Sequence, residues 1–341
     1  MRAVVVHAAN DLRVEEVPDP ECRPDQVLVA MEWGGICGSD TAYWKSGISG
    51  TAVLKDPLIL GHEVAGHVVE VGSRVSGVET GQRVTVHPAT LVGNHTVPDE
   101  TAGRTNLWPE VRYFGSAAFQ PHEPGGFSSL RAVGPEQLRP LPDGVSTKDG
   151  ALAEPFGVAI HAVRRAGDVS GRTVLVNGCG PIGALAVAAA KAEGAARIYA
   201  ADLSENALQV ARAMGADSLI PLAAGESLPV DVEVAIEASG AARALGGVTS
   251  AVRRGGVLVQ VGNLPAGEVA AELGNIVTRE IDYRGSYRFV DEITDAITLM
   301  DSGVDVSPLM THSFALDDAQ EAFAVAANPN SGSSKVMLRL T

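Results

Sequence analysis

TVLVNGCGPIGALAVAAAKAEG, residues 173–194, decides the fold of the C-terminal half of this 341-residue chain. Its first five residues are an apolar run that reads as a strand buried on both faces. Gly178, Gly180 and Gly183 then make a tight turn, which Pro181 and Ile182 carry into an alanine-rich helix ending near Gly194. A strand, a glycine turn and a helix in that order let a dinucleotide pyrophosphate reach backbone N–H groups at a helix N-terminus. RIYAAD (197–202) reads as the next strand and ends on Asp202, 202 − 183 = 19 residues past the last glycine. A carboxylate there accepts hydrogen bonds from the adenosine ribose and repels a 2′-phosphate. Leu203, Ser204 and Glu205 follow, without an arginine to pair with that phosphate. NAD is therefore the expected cofactor. A glycine pattern alone is as easily a structural turn; the strand, helix and acid around it weigh against that.

The same alternation continues outward. SENALQVARAMGA (204–216) predicts a helix that Ser204 can cap. VEVAIEAS (232–239), GVLVQVG (256–262) and IDYRGSY (281–287) predict further strands, and the whole a doubly wound parallel sheet. Before residue 150 the rhythm differs. Short β-rich runs such as AVVVH, QVLVAMEW, VAGHVVEVG and RVTVH are separated by Gly, Pro and Asp, which suggests a small antiparallel barrel or sandwich. The fold class is α/β with two domains.

Composition narrows the function. Apolar content of 45% and 38 glycines describe a globular enzyme. A net charge of −15 argues against nucleic acid and anionic membrane surfaces as partners. The longest apolar stretches are broken by charge too soon to span a bilayer, and the N-terminal apolar run is too short for a signal peptide. Three widely spaced cysteines do not make a disulfide framework, so a reducing cytoplasm is expected.

Three residues suggest a metal. Cys37 lies in GGICGSD (34–40), His62 in LGHEVAG (60–66) and Glu154 in LAEPFGVAIHA (152–162). Each is next to glycine or proline, where a loop can aim a side chain. A thiolate, an imidazole and a carboxylate form the three-ligand set of a catalytic zinc, with a fourth position open for substrate. Zinc beside a dinucleotide implies hydride transfer to or from an alcohol. Cys22 and Cys179 have no evident metal partners and read as small buried or loop residues.

GHEVAGHVVEVGSRV (61–75) resembles the zinc signature of the medium-chain dehydrogenases, and the resemblance runs over essentially the whole chain. It implies a GroES-like catalytic domain over 1–147 and 288–341, with a Rossmann dinucleotide domain over 148–287. It implies zinc on Cys37, His62 and Glu154, with Glu63 close behind the metal and able to replace or join a ligand. Ser39 would be the first step of a proton relay. The pair Glu154–Pro155, with CGSD, is similar to the polyol branch. RYFGSAAFQPHEPGGF (112–127), AEPFGVAIHAVRRAG (153–167) and GSYRF (285–289) resemble the L-idonate 5-dehydrogenases more than the sorbitol dehydrogenases. Arg288 stands where polyol dehydrogenases have a substrate-contacting arginine and would face a sugar-acid carboxylate; Phe114 is a second candidate substrate contact. A homodimer or homotetramer is expected.

Two departures stand out. The segment 87–111 holds no cysteine where most of the family has a four-cysteine lobe, so one zinc per subunit and no structural zinc is expected. Without its metal clip that loop should be mobile or tied down by a partner subunit. Ala42 replaces the histidine that commonly ends the relay. The rival readings are a sorbitol, xylitol, threonine or butanediol dehydrogenase of the same branch, a metal-free quinone reductase, and a dinucleotide-binding protein without catalysis. Metal content and NADH formation on a polyol panel separate them.

Overall fold

The computed structural model describes residues 1–265 and 267–341. The chain forms two compact units, Met1–Glu154 with Met310–Thr341, and Pro155–Leu309. These breaks fall later than the expected 147/148 and 287/288. The second break moves because the helix Glu292–Asp301 is tied to the 155–309 unit: His161 Nδ1 lies 2.7 Å from Glu292 Oε1, and Arg164 Nη1 2.5 Å from Asp295 Oδ2.

The first unit is built mainly on antiparallel strands, Met310–Ala315 alone pairing parallel, with Lys335–Arg339, among the described residues. Among the described residues its larger sheet runs Leu138–Pro140, Arg83–Val86, Glu63–Val71, Val27–Gly35, Lys335–Arg339, Met310–Ala315, with Leu130–Val133 also paired to Val27–Gly35. Apolar residues at alternate positions of these strands point inward, as period-two patterning requires. Val4, Val29, Met31, Leu60, Val84, Phe127 and Phe323 fill one core. The last two strands bring the C-terminal segment against Val27–Gly35: Met337 pairs with Gly35 and Arg339 with Trp33.

The cysteine-free segment 87–111 carries its own ties. Strands Ala89–Leu91 and Val111–Tyr113 pair antiparallel. The Trp108 indole donates to Val92 O at 2.8 Å, Val92 N donates to Glu110 O at 2.9 Å, and the His95 ring meets Trp108 edge-on at 5.6 Å. Hydrogen bonds and an aromatic contact stand where four thiolates were missing.

The second unit is the expected doubly wound sheet. Its parallel strands run Ser218–Pro221, Arg197–Asp202, Thr173–Asn177, Val232–Glu237, Val252–Gln260, Asp282–Gly285. In chain order that is 3-2-1-4-5-6, with the order reversing between Thr173–Asn177 and Val232–Glu237. A dinucleotide binds at the carboxyl ends of the strands beside such a reversal. Ser204 caps the following helix as expected, its Oγ accepting from Ala207 N. Among the described residues no helix is long and apolar enough to cross a membrane.

Candidate metal and dinucleotide sites

The candidate metal site lies in the first unit. Cys37 is the N-cap of the helix Gly38–Ser46, His62 immediately precedes the strand Glu63–Val71, and Glu154 is in the first turn of the helix Ala153–Arg165 rather than on a loop. Pro155 explains that start, since proline suits the first helical turn. Cys37 Sγ, a His62 ring nitrogen and a Glu63 oxygen lie within 4.8 Å of one another. Glu154 is outside that group. Its Oε1 accepts a 2.5 Å hydrogen bond from the Tyr113 hydroxyl, while its charge acts on His62 and Glu63.

Asp40, which its place beside the Cys37 loop offers as an orienting partner of a zinc ligand, and Lys335, which the sequence does not single out, shape this arrangement. Asp40 is fully buried, and its carboxylate accepts from Cys37 N at 2.9 Å and from Gly61 N at 3.1 Å. It thereby fixes the loop bearing the thiol to the loop bearing the imidazole. Lys335, 2% exposed, reaches both oxygens of Glu63 and donates to Ile36 O at 3.2 Å. Gly35 leaves room for the Glu63 carboxylate, because a Cβ there would lie 2.2 Å from Glu63 Oε2.

The electrostatics favour a cation. Asp40, Glu63 and Glu154 are all buried, with the Cys37 thiol beside them and Lys335 as the buried counter-charge. Burial disfavours a charged His62, yet Cys37, Asp40 and Glu154 outweigh it and hold its pKa well above the ordinary value. Burial likewise opposes charge on Lys335, and Glu63, Cys37 and Glu154 outweigh it and raise its pKa. A borderline-soft dication suits both the surplus negative charge and the mixed sulfur, nitrogen and oxygen donors.

Other candidates fall as follows. Ser39 is partly exposed in the first turn of the Cys37-capped helix. Phe114 is 3% exposed, lies in the apolar core and is covered by the Arg131 guanidinium at 4.5 Å, so its ring offers a substrate little surface. Arg288 belongs to the second unit, with a left-handed φ of 50° and its guanidinium over the Tyr287 ring at 4.9 Å. A non-glycine residue held there stores strain of the kind found at functional positions. His122, which QPHEPGG offers as a loop histidine that could contact substrate or be solvated, uses both nitrogens on the chain, accepting from Lys55 N at 2.9 Å and bonding Phe119 O at 2.8 Å, and so fastens a loop.

The second unit carries the dinucleotide turn. Gly183 must be glycine, since a Cβ there would lie 1.8 Å from Gly178 O. Gly180 differs: a Cβ there meets nothing within 4 Å. The protein leaves open the space that a pyrophosphate would take. The helix Pro181–Ala192 begins with Gly180 as N-cap and no side-chain cap, so its first N–H groups face that space. Asp202 accepts from Cys179 N at 2.6 Å and Ser204 N at 2.7 Å, which fixes its carboxylate against the turn. Burial raises the pKa of the Cys179 thiol, with Asp202 adding to it, so it stays protonated and inert.

Residues 23–143 match the alcohol dehydrogenase GroES-like domain, and residues 181–302 match the zinc-binding dehydrogenase domain. Sorbitol dehydrogenase of Gallus gallus is 40% identical over 94% of this chain and 92% of that protein. L-idonate 5-dehydrogenase of Escherichia coli superimposes with a TM-score of 0.92 at 33% identity, covering 99% of this chain and 97% of that one. A protein from Sinorhizobium meliloti assigned as a zinc-binding dehydrogenase, solved bound to NADP, superimposes with a TM-score of 0.89 at 30% identity, covering 99% and 98%.

Proposed function

This chain belongs to the zinc-dependent medium-chain alcohol and polyol dehydrogenase family, and we propose that it reversibly oxidises a secondary hydroxyl of a sugar acid, L-idonate at C5, with NAD as acceptor. The observation that carries this reading is the grouping of Cys37, His62 and Glu63 within 4.8 Å, in a site whose buried acids outnumber its buried lysine.

Cys37 and His62 would hold one zinc together with a carboxylate. The sequence points to Glu154 for that third place, and the close grouping points to Glu63. Each has a holding partner, Tyr113 for Glu154 and Lys335 for Glu63, so the carboxylate not on the metal remains fixed beside it. When bound, the metal would supply a Lewis acid for the alcohol oxygen and the nicotinamide a hydride acceptor. Ser39, partly exposed, would accept the hydroxyl proton on Oγ while passing its own proton to solvent. Asp40 keeps the Cys37 and His62 loops in register while it does so. Cys22 and Cys179 lie outside the site, which supports one zinc per chain. Asp202, fixed at the turn, supports NAD over NADP.

The sugar-acid substrate is supported by the E. coli L-idonate 5-dehydrogenase likeness and by the strained Arg288. The second reading, a neutral polyol of the sorbitol type, is supported by the 40% identity to the sorbitol dehydrogenase. A substrate panel with NADH formation as readout decides between them. Losing a charge-assisted pair typically costs ~2–5 kcal/mol, so Arg288→Ala should depress catalytic efficiency on L-idonate far more than on sorbitol or xylitol. Wild-type preference for the neutral polyols, or equal harm to both classes, sinks the sugar-acid reading and leaves the polyol dehydrogenase.

A further inference from the structure

At the strand reversal of the second unit, Asn177 and Glu237 face each other as register partners on adjacent strands. Both are buried, at 2% and 0% exposure, and Asn177 Nδ2 donates to Glu237 Oε2 at 2.6 Å. A carboxylate with no water must have every acceptor site served by the protein. Its other oxygen, Oε1, accepts from Ser239 N at 2.7 Å, from Gly240 N at 3.2 Å and from the Ser239 hydroxyl. Its main-chain carbonyl accepts from Val261 N at 3.0 Å and Gly262 N at 2.9 Å. Asn177 O in turn accepts from Ala238 N at 2.8 Å. Glu237 therefore fastens two loops, 238–240 and 261–262, to the end of the strand that feeds the glycine turn.

These loops leave no slack against that turn. A Cβ on Gly178 would lie 2.5 Å from Ser239 N, and one on Gly262 2.4 Å from Gly240 N. A shift of Ser239 would displace the turn whose open face is the proposed pyrophosphate cradle.

We propose that Glu237, seated on Asn177, is a positioning residue for dinucleotide binding: its charge holds the 238–240 loop so that the Gly178–Gly183 turn keeps its ligand-ready shape. This rests on the dinucleotide reading given above. Glu237→Ala leaves the buried Asn177 amide and the Ser239 and Gly240 N–H groups without their acceptor, which should weaken NADH binding about tenfold. Glu237→Gln keeps an acceptor oxygen without the charge, and a charge-assisted bond is roughly twice as strong as a neutral one, so about fivefold weaker binding is expected.

The experiment titrates NADH fluorescence against the zinc-loaded wild-type protein and both variants, and follows amide hydrogen exchange in each before NADH is added. The expected order of affinity is wild type, Glu237→Gln, Glu237→Ala, with faster exchange at Ser239 and Gly240 and unchanged protection in Thr173–Asn177. The KM for NAD should rise more than kcat falls. If Glu237→Ala does not fold, Glu237→Gln carries the same comparison. A folded variant that binds NADH within about twofold of wild type, with unaltered exchange at 239–240, overturns the assignment alone. Wild-type protein that binds neither NADH nor NADPH overturns the dinucleotide reading and this assignment with it.

Discussion

The Lys335 ammonium lies 2.7 Å from both oxygens of Glu63, and neither side chain is more than 3% exposed. Two hundred and seventy-two residues separate them, so the C-terminal strand closes the charge balance of a site begun near residue 37. Removing one partner of such a pair strands a buried charge and typically costs ~3–5 kcal/mol. Lys335→Met should lower stability in urea by about that amount when the metal is absent. A loss under about 1 kcal/mol would mean that the pair is solvated in solution.

Asp40 should govern metal affinity without touching the metal. It holds Cys37 N and Gly61 N on its two oxygens. Partners that orient metal ligands typically contribute 10–100-fold in affinity. Asp40→Asn keeps one acceptor and opposes an amide N–H to the other, so zinc affinity measured by chelator competition should fall by about 10–100-fold. Unchanged affinity would show that the two loops hold their places unaided.

Much of this was legible in the sequence, and the failures have physical reasons. The dinucleotide turn was legible because a close backbone approach requires Gly183, Gly180 leaves the cradle open, and Asp202 follows at fixed spacing. Cys37 and His62 stood out because glycines flank them. Lys335 lies in KVMLR, a strand with no glycine or motif beside it, and only sheet pairing carries it to Glu63. Tyr113 and Phe114 are neighbours in an apolar run, and only the fold shows that Tyr113 reaches Glu154 while Phe114 turns into the core. Ser218–Pro221 was missed as a strand because it is short and ends in proline.

Acid should loosen the second unit through Glu292. Burial pushes this carboxyl up, but the bond to His161 and the donation from Val290 N hold its pKa below the ordinary 4.5. A depressed folded pKa contributes stability that is complete above 4.5 and is lost as pH falls through the lower folded value. Glu292→Ala should therefore cost about 1–3 kcal/mol near pH 7, with the difference from wild type shrinking as pH drops below 4.5. A difference that does not change with pH would remove the charged pair as its cause.

Cofactor choice should follow Asp202. A carboxylate against a 2′-phosphate costs several kcal/mol, so NAD should exceed NADP in kcat/KM by at least about 100-fold. Asp202→Ala should weaken NAD use, since Cys179 N and Ser204 N lose their acceptor, and should narrow the discrimination. Equal efficiency of wild type with NADP, the cofactor in the S. meliloti structure, would refute the assignment.

The most direct measurement is zinc content together with NADH formation from L-idonate, sorbitol and xylitol, made on wild type, on chelator-treated protein and on Cys37→Ser. The account predicts one zinc per chain, turnover of at least one of these alcohols, and joint loss of zinc and turnover in the other two samples while the circular dichroism of the fold persists. Undiminished NADH formation by the zinc-free protein would contradict it.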